Sequence, residues 1–201
     1  MKHPLQRFLL LLLGAVFCLP LAAAEPALPG DSVYQIQATV TDQSGATRPW
    51  QALRGRPVVV SMFYANCHLM CPLIIASGKA LQNRLTAEEY AGLDFAMISI
   101  DPARDTPAAL KDVADTHRLD LERWHLLRPS DADVRTLAAA LGIRYRAQPD
   151  GTFNHTSVLI LLDRDGRILA RSEVTGLQPD ASFVTAVREH LASSRDAVAR
   201  H

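Results

Sequence analysis

Three runs of almost unbroken apolar residues, at 57–64, 93–100 and 157–162, constrain this chain more than any other feature. A strand with one wet face alternates apolar and polar residues, whereas these runs barely alternate. They therefore read as strands buried on both faces, which need a layer of other elements on each side. The segments between them supply candidates. Pro72 opens a helical stretch to about Leu85, because proline is tolerated in a first turn whose N–H groups have no partner. Thr86 and Glu89 have capping-box spacing for a short helix. Thr106 and Pro107 read as the N-cap and first residue of a helix presenting Leu110, Val113, Ala114 and His117. Residues 124–127 form a further candidate strand. Ser130 caps a helix with the stripe Val134, Leu137, Ala138 and Leu141. After 157–162, the Asp163-Arg164-Asp165-Gly166 turn leads into a hairpin partner at 167–170. A last helix runs from about Pro179 to Leu191. Strands alternating with helices predict an α/β fold with a mixed central sheet flanked by helices.

Two ends need separate treatment. Residues 33–41 alternate, with Val33, Gln35 and Gln37 opposite Tyr34, Ile36 and Ala38, and a turn signal follows at 42–45. They predict a strand and an N-terminal β-hairpin extension. Before them, Lys2, His3 and Arg7 precede an apolar run, and Ala22-Ala23-Ala24 offers the small residues that signal peptidase reads. Residues 1–24 are read as a secretory signal, with an uncleaved anchor as the lesser option. The run is short for a membrane span. Cys18 lies inside it, behind Phe17 rather than the small residue that lipid attachment favours. The remaining division is a linker at 25–32, one domain at 33–192 and a flexible tail at 193–201. Lysine plus arginine equal aspartate plus glutamate at 21 each, and no basic run exceeds a dipeptide, which argues against a nucleic-acid partner. The mature chain is expected to be a monomer in the periplasm, touching membrane only through the signal or anchor segment.

Without that segment two cysteines remain, Cys67 and Cys71, placed where the first buried run becomes a helix. Partial positive charge at a helix N-terminus favours thiolate over thiol. A separation of four brings two side chains to roughly 5–6 Å if the turn is helical, which suits a disulfide or two ligands of one metal. Three roles stay open: a structural disulfide, disulfide exchange, or a soft-metal site. A bridge across so short a loop would stabilise little. Exchange enzymes commonly have two intervening residues and a proline ahead of a later strand. Here the gap is three, and the segment 152–157 contains His155 in place of a proline. Two thiolates and one imidazole would select Cu(I) and keep Cu(II) accessible, while zinc would normally demand a fourth ligand. Because thiolate is the ligand, metal could enter only when the pair is reduced.

These residues resemble the SCO/SenC family. Cys67-x-x-x-Cys71-Pro72 follows the first core strand, Ile98-Ser99-Ile100-Asp101-Pro102 ends the next, and Arg104-Asp105-Thr106-Pro107 opens a helix. His155 precedes the third run, which ends in Leu162-Asp163 with Gly166 after it. The resemblance spans about 30–192 and implies a thioredoxin-like fold. It also implies copper held by Cys67, Cys71 and His155, and a role in building the copper centre of cytochrome c oxidase, with a copper-receiving oxidase subunit as partner. A metallochaperone is the reading, with a thiol-disulfide reductase acting on a client's cysteines as the alternative. Within the loop this chain departs from the family: His68 and Met70 stand where proline and often an acidic residue occur, making both possible auxiliary ligands. Asn154 replaces a frequent aspartate. Asp101, Arg104 and Asp105 are read structurally, as a strand-end turn and charges flanking a helix start. His117 and His190 are read as partly buried surface histidines, and Met62 and Met97 as core.

Overall fold

A computed structural model describes residues 27–67, 70–174 and 176–198. The signal segment, Cys18 and His68 lie outside them. A seven-stranded sheet runs β2 (Thr47–Pro49), β1 (Thr39–Asp42), β5 (Trp124–Pro129), β4 (Asp94–Ser99), β3 (Val58–Phe63), β8 (Val158–Leu162), β9 (Ile168–Glu173). Strands β3, β4 and β5 are mutually parallel, while β1, β2, β8 and β9 run antiparallel to their neighbours. The three apolar runs are β3, β4 and β8, and every residue of each strand is buried. Helix α1 (Met70–Gln82) packs on β3 and β8, α3 (Pro107–Thr116) on β5 and β1, α4 (Asp131–Ala140) on β5, and α5 (Ala181–Val198) on β9. The short α2 (Ala87–Ala91) packs against α5. This is the mixed sheet with helical layers that double-sided burial requires.

Local signals acted as expected at the caps. Thr86 and Glu89 form a complete capping box, and Thr106 and Ser130 each accept an amide N–H of their own first turn. Met62 and Met97 are core residues.

The structure corrects three expectations. Residues 33–35 form a 3-10 turn, and the strand begins only at Thr39. Tertiary contacts override the alternation here: the Val33 N–H donates to the Gly166 carbonyl (2.9 Å), and Trp50 Nε1–H donates to that of Val33 (3.1 Å). Tyr34 packs so closely on Gly166 that a Cβ there would lie 2.5 Å from the ring, and Gly166 has φ +82°, so this turn requires glycine. The hairpin itself is present, but β1 also pairs with β5, making it part of the central sheet. Helix α1 begins at Met70, ahead of Pro72, which still occupies the first turn. Finally, α5 is helical to Val198, through the start of the segment expected as tail.

One element was not expected. Residues 143–157 include a separate two-stranded hairpin, β6 (Tyr145–Ala147) and β7 (Phe153–His155). It carries His155.

Candidate metal centre

The antiparallel register of β3 with β8 places Val58 opposite Leu162, so the end of β3 meets the start of β8. The cysteine segment leaves β3 at this end, and β7 enters β8 there. Cys71 Sγ and His155 Nε2 consequently lie 4.0 Å apart, across 84 residues of sequence. Cys67 closes a turn on Tyr64, its N–H donating to the Tyr64 carbonyl at 3.3 Å. The Cys71 amide donates to Cys67 Sγ (3.3 Å), and the Tyr64 amide to Cys71 Sγ (3.5 Å). Each sulfur thus accepts an amide N–H. Cys71 is buried and Cys67 partly exposed.

Electrostatics here departs from the expected thiolate. Burial pushes the Cys71 thiol well above its ordinary range, and the neighbouring Cys67 and Asp105 push the same way. The amide of Tyr64 opposes them without prevailing. The helix start is real, but its field is exerted on a sulfur taken out of water, where the desolvation cost of an anion is larger. Burial also lowers His155, and the Thr156 carbonyl only partly offsets this. The imidazole is therefore neutral near pH 7. Its Nδ1 lies 3.2 Å from the Thr156 carbonyl, which can only accept, so Nδ1 carries the proton. Nε2 is left with its lone pair facing the Cys71 sulfur. The backbone carbonyl of Thr156 thus orients the ring, a task a carboxylate in place of Asn154 would otherwise perform.

A cleft of about 330 Å³ opens beside these groups, lined by Tyr64, Cys67, Met70, Phe153 and His155 among others. Tyr64 and Phe153 are the site residues that sequence reading passed over. The Phe153 amide donates to the Tyr64 hydroxyl (3.3 Å), and the Tyr64 ring meets both Phe153 and His155 edge-on, with centroids 5.3 and 6.1 Å away. Their signal was adjacency: each stands within three residues of a candidate ligand. On the other side of Cys67, a second cleft is lined by Arg104, Asp105, Asp112 and His117. Asp105 does more than flank a helix start. Its buried carboxylate accepts the Ala65 amide through both oxygens (3.1 and 3.2 Å) and the Ser99 hydroxyl, bracing the turn that bears Cys67.

The donor set suits a soft ion. With metal–sulfur and metal–nitrogen bonds of about 2.3 and 2.0 Å, two ligands of a trigonal ion stand about 3.7 Å apart. The Cys71–His155 spacing exceeds this by a few tenths of an ångström. Among the described residues no three His, Cys, Asp or Glu side chains already converge to hold an ion. His117 and His190 remain outside the cluster: the His117 carbonyl accepts Lys79 Nζ, and His190 lies beside Ser194.

The SCO1/SenC family model matches residues 29–192. The SCO1 protein homolog of Bacillus subtilis is 26% identical over 162 residues, 78% of this chain and 82% of that protein. Copper-bound yeast Sco1 superposes with a TM-score of 0.66 at 20% identity, covering 84% of this chain and 90% of the other. BsSco, described through a disulfide switch in a Sco family of cytochrome c oxidase assembly proteins, gives 0.66 at 23%, covering 78% and 92%. These structural likenesses establish the fold, which is thioredoxin-like.

Proposed function

The chain belongs to the SCO1/SenC family, and from that premise we propose that it is an exported copper-binding protein that loads or prepares the copper site of a respiratory cytochrome c oxidase. One observation carries the reading: His155 Nε2 stands 4.0 Å from the sulfur of Cys71, whose own amide donates to the sulfur of Cys67. Cys67, Cys71 and His155 are the ligands. Copper as Cu(I) or Cu(II) supplies the charge that a buried thiolate lacks, so loading displaces a proton from a thiol that burial otherwise keeps protonated. Met70 lines the same cleft, and its thioether favours Cu(I). When oxidised, Cys67 and Cys71 pair as a disulfide and copper is excluded. Residues 1–24 direct export to the periplasm and are removed or serve as an anchor. Among the described residues no helix is long and apolar enough to cross a membrane.

A second reading has its own observation. Cys67 borders both clefts while Cys71 is buried, the asymmetry a thiol-disulfide reductase uses to present one sulfur to a client. Copper titration of the reduced soluble chain separates the two. One tightly held copper per chain, lost in Cys67→Ser, Cys71→Ser and His155→Ala, is the expected result. Tight stoichiometric binding by His155→Ala removes the imidazole from the site. Absence of tight binding in the parent protein leaves the reductase.

A further inference from the structure

A two-stranded hairpin has little stability of its own in water. The β6–β7 hairpin that carries His155 is such an element, paired to no strand of the main sheet. Its tip is organised from within: the Gln148 amide donates to the Thr152 carbonyl (2.8 Å), the Gly151 amide to that of Gln148 (3.0 Å), and the Asp150 carboxylate accepts the Thr152 amide (2.9 Å). Among the described residues, the hydrogen bonds of residues 148–153 that leave the hairpin altogether run to Tyr64 and to Arg104.

Arg104 reaches this tip from the end of β4. Its Nε donates to the Asp101 carboxylate, and its Nη2 donates to the Gly151 carbonyl. Its guanidinium carbon stands 5.8 Å from the centre of the Phe153 ring. Asp101 is itself nearly buried, and its amide is held by the Ser99 hydroxyl (3.0 Å), so the aiming carboxylate is anchored at the strand end. Gly151 has φ +81°, and a Cβ there would lie 3.2 Å from Arg104 Nη1. The planar fork can meet a carboxylate, a carbonyl and a ring at once, which a lysine ammonium cannot.

We propose that Arg104 is a positioning residue: it latches the hairpin onto the end of β4 and so holds His155 at ligand distance from Cys71. The proposal rests on His155 being a copper ligand, and its test keeps the two claims apart. Arg104→Met keeps the length and apolar stem of the side chain but removes the fork. Because this side chain is 45% exposed, the fold is expected to survive. Gly151→Ala disturbs the same contact from the hairpin, by crowding Nη1 and by straining the φ +81° turn that presents the carbonyl.

In metal-free protein, amide hydrogen exchange at 152–155 should quicken about tenfold or more in each variant, with the urea midpoint unchanged in Arg104→Met and lowered in Gly151→Ala, whose alanine must hold a φ of +81°. In copper-loaded protein, Cu(II) affinity should fall about tenfold in Arg104→Met, and the nitrogen hyperfine signal should weaken while sulfur charge-transfer bands persist. Exchange equal to the parent in Arg104→Met overturns the latch, whatever Gly151→Ala does. So does faster exchange with copper affinity and nitrogen coupling unchanged, since the hairpin would then not set the ligand. Faster exchange in a protein that never binds copper upholds the docking and overturns the copper reading alone.

Discussion

Replacing Asp105 by alanine should unsettle the cysteine turn and the fold together. The buried carboxylate accepts the Ala65 amide through both oxygens and the Ser99 hydroxyl, and it lines one cleft with Ala65 and Cys67. Alanine leaves two enclosed donors without their acceptor, and each such loss costs about 1–3 kcal/mol. The sum is offset in part by no longer burying a carboxyl group whose ionised form is disfavoured, since burial already raises Asp105 above the usual carboxylate range. A net loss of about 3 kcal/mol is expected, or about 6–12 °C in Tm for a domain of this size. Asp105→Asn provides the control. Its Oδ1 can still accept the Ala65 amide, and its Nδ2 can donate to a Ser99 hydroxyl that rotates, so a loss of only about 1 kcal/mol is expected. Urea unfolding of the reduced protein measures the energies, and iodoacetamide trapping of Cys67 measures the turn. Alkylation should quicken severalfold in Asp105→Ala and stay near the parent rate in Asp105→Asn. Alanine and asparagine variants of equal stability, each near the parent, would refute the bracing role.

Three further outcomes follow from other parts of the molecule. Met70→Leu should weaken Cu(I) binding severalfold and leave Cu(II) nearly unchanged, because only the thioether is soft; competition with a Cu(I) chelator measures it, and equal Cu(I) affinity would confine Met70 to packing. A Cβ on Gly78 of α1 would lie 2.7 Å from the Trp124 ring, so Gly78→Val should cost about 1–3 kcal/mol by overpacking, read from the urea midpoint. Burial pushes Asp94 up, but the nearby His125 ring (3.9 Å) and the charges of Arg56 and Arg123 outweigh it and hold the carboxyl below its ordinary range. Its stabilising effect is therefore present above the unfolded carboxylate pKa of about 3.9 and is lost as pH falls through the lower folded value. Asp94→Asn should be about 2 kcal/mol less stable than the parent at pH 7, and the gap should close on acidification; a gap constant to pH 3 would rule out the charge pairing.

Much of this protein was legible from residues close together in sequence. The apolar runs at β3, β4 and β8, the capping box at Thr86, the caps at Thr106 and Ser130, and the turn before Gly166 depend on neighbours a few positions apart, and all appear in the folded chain. The two cysteines and His155 were also visible as chemistry, because their residue types and their places beside buried strands are local facts.

Only the tertiary structure decided how these pieces act on one another. The 4.0 Å between Cys71 and His155 comes from the antiparallel pairing of β3 with β8, a register that joins segments about a hundred residues apart. Val33 and Tyr34 leave the strand that their alternation suggests because Gly166 and Trp50, distant in sequence, offer better partners than a ladder would. The helix start beside Cys71 favours a thiolate, yet the folded chain removes that sulfur from water and raises its pKa instead. Arg104 shows the same division: its place at a helix start is readable, while its reach to Gly151 is not. Propensity, capping and turn chemistry act over a few bonds and so are written in order along the chain. Burial, strand register and the field at a buried atom depend on which distant segments close over it, and folding alone settles that.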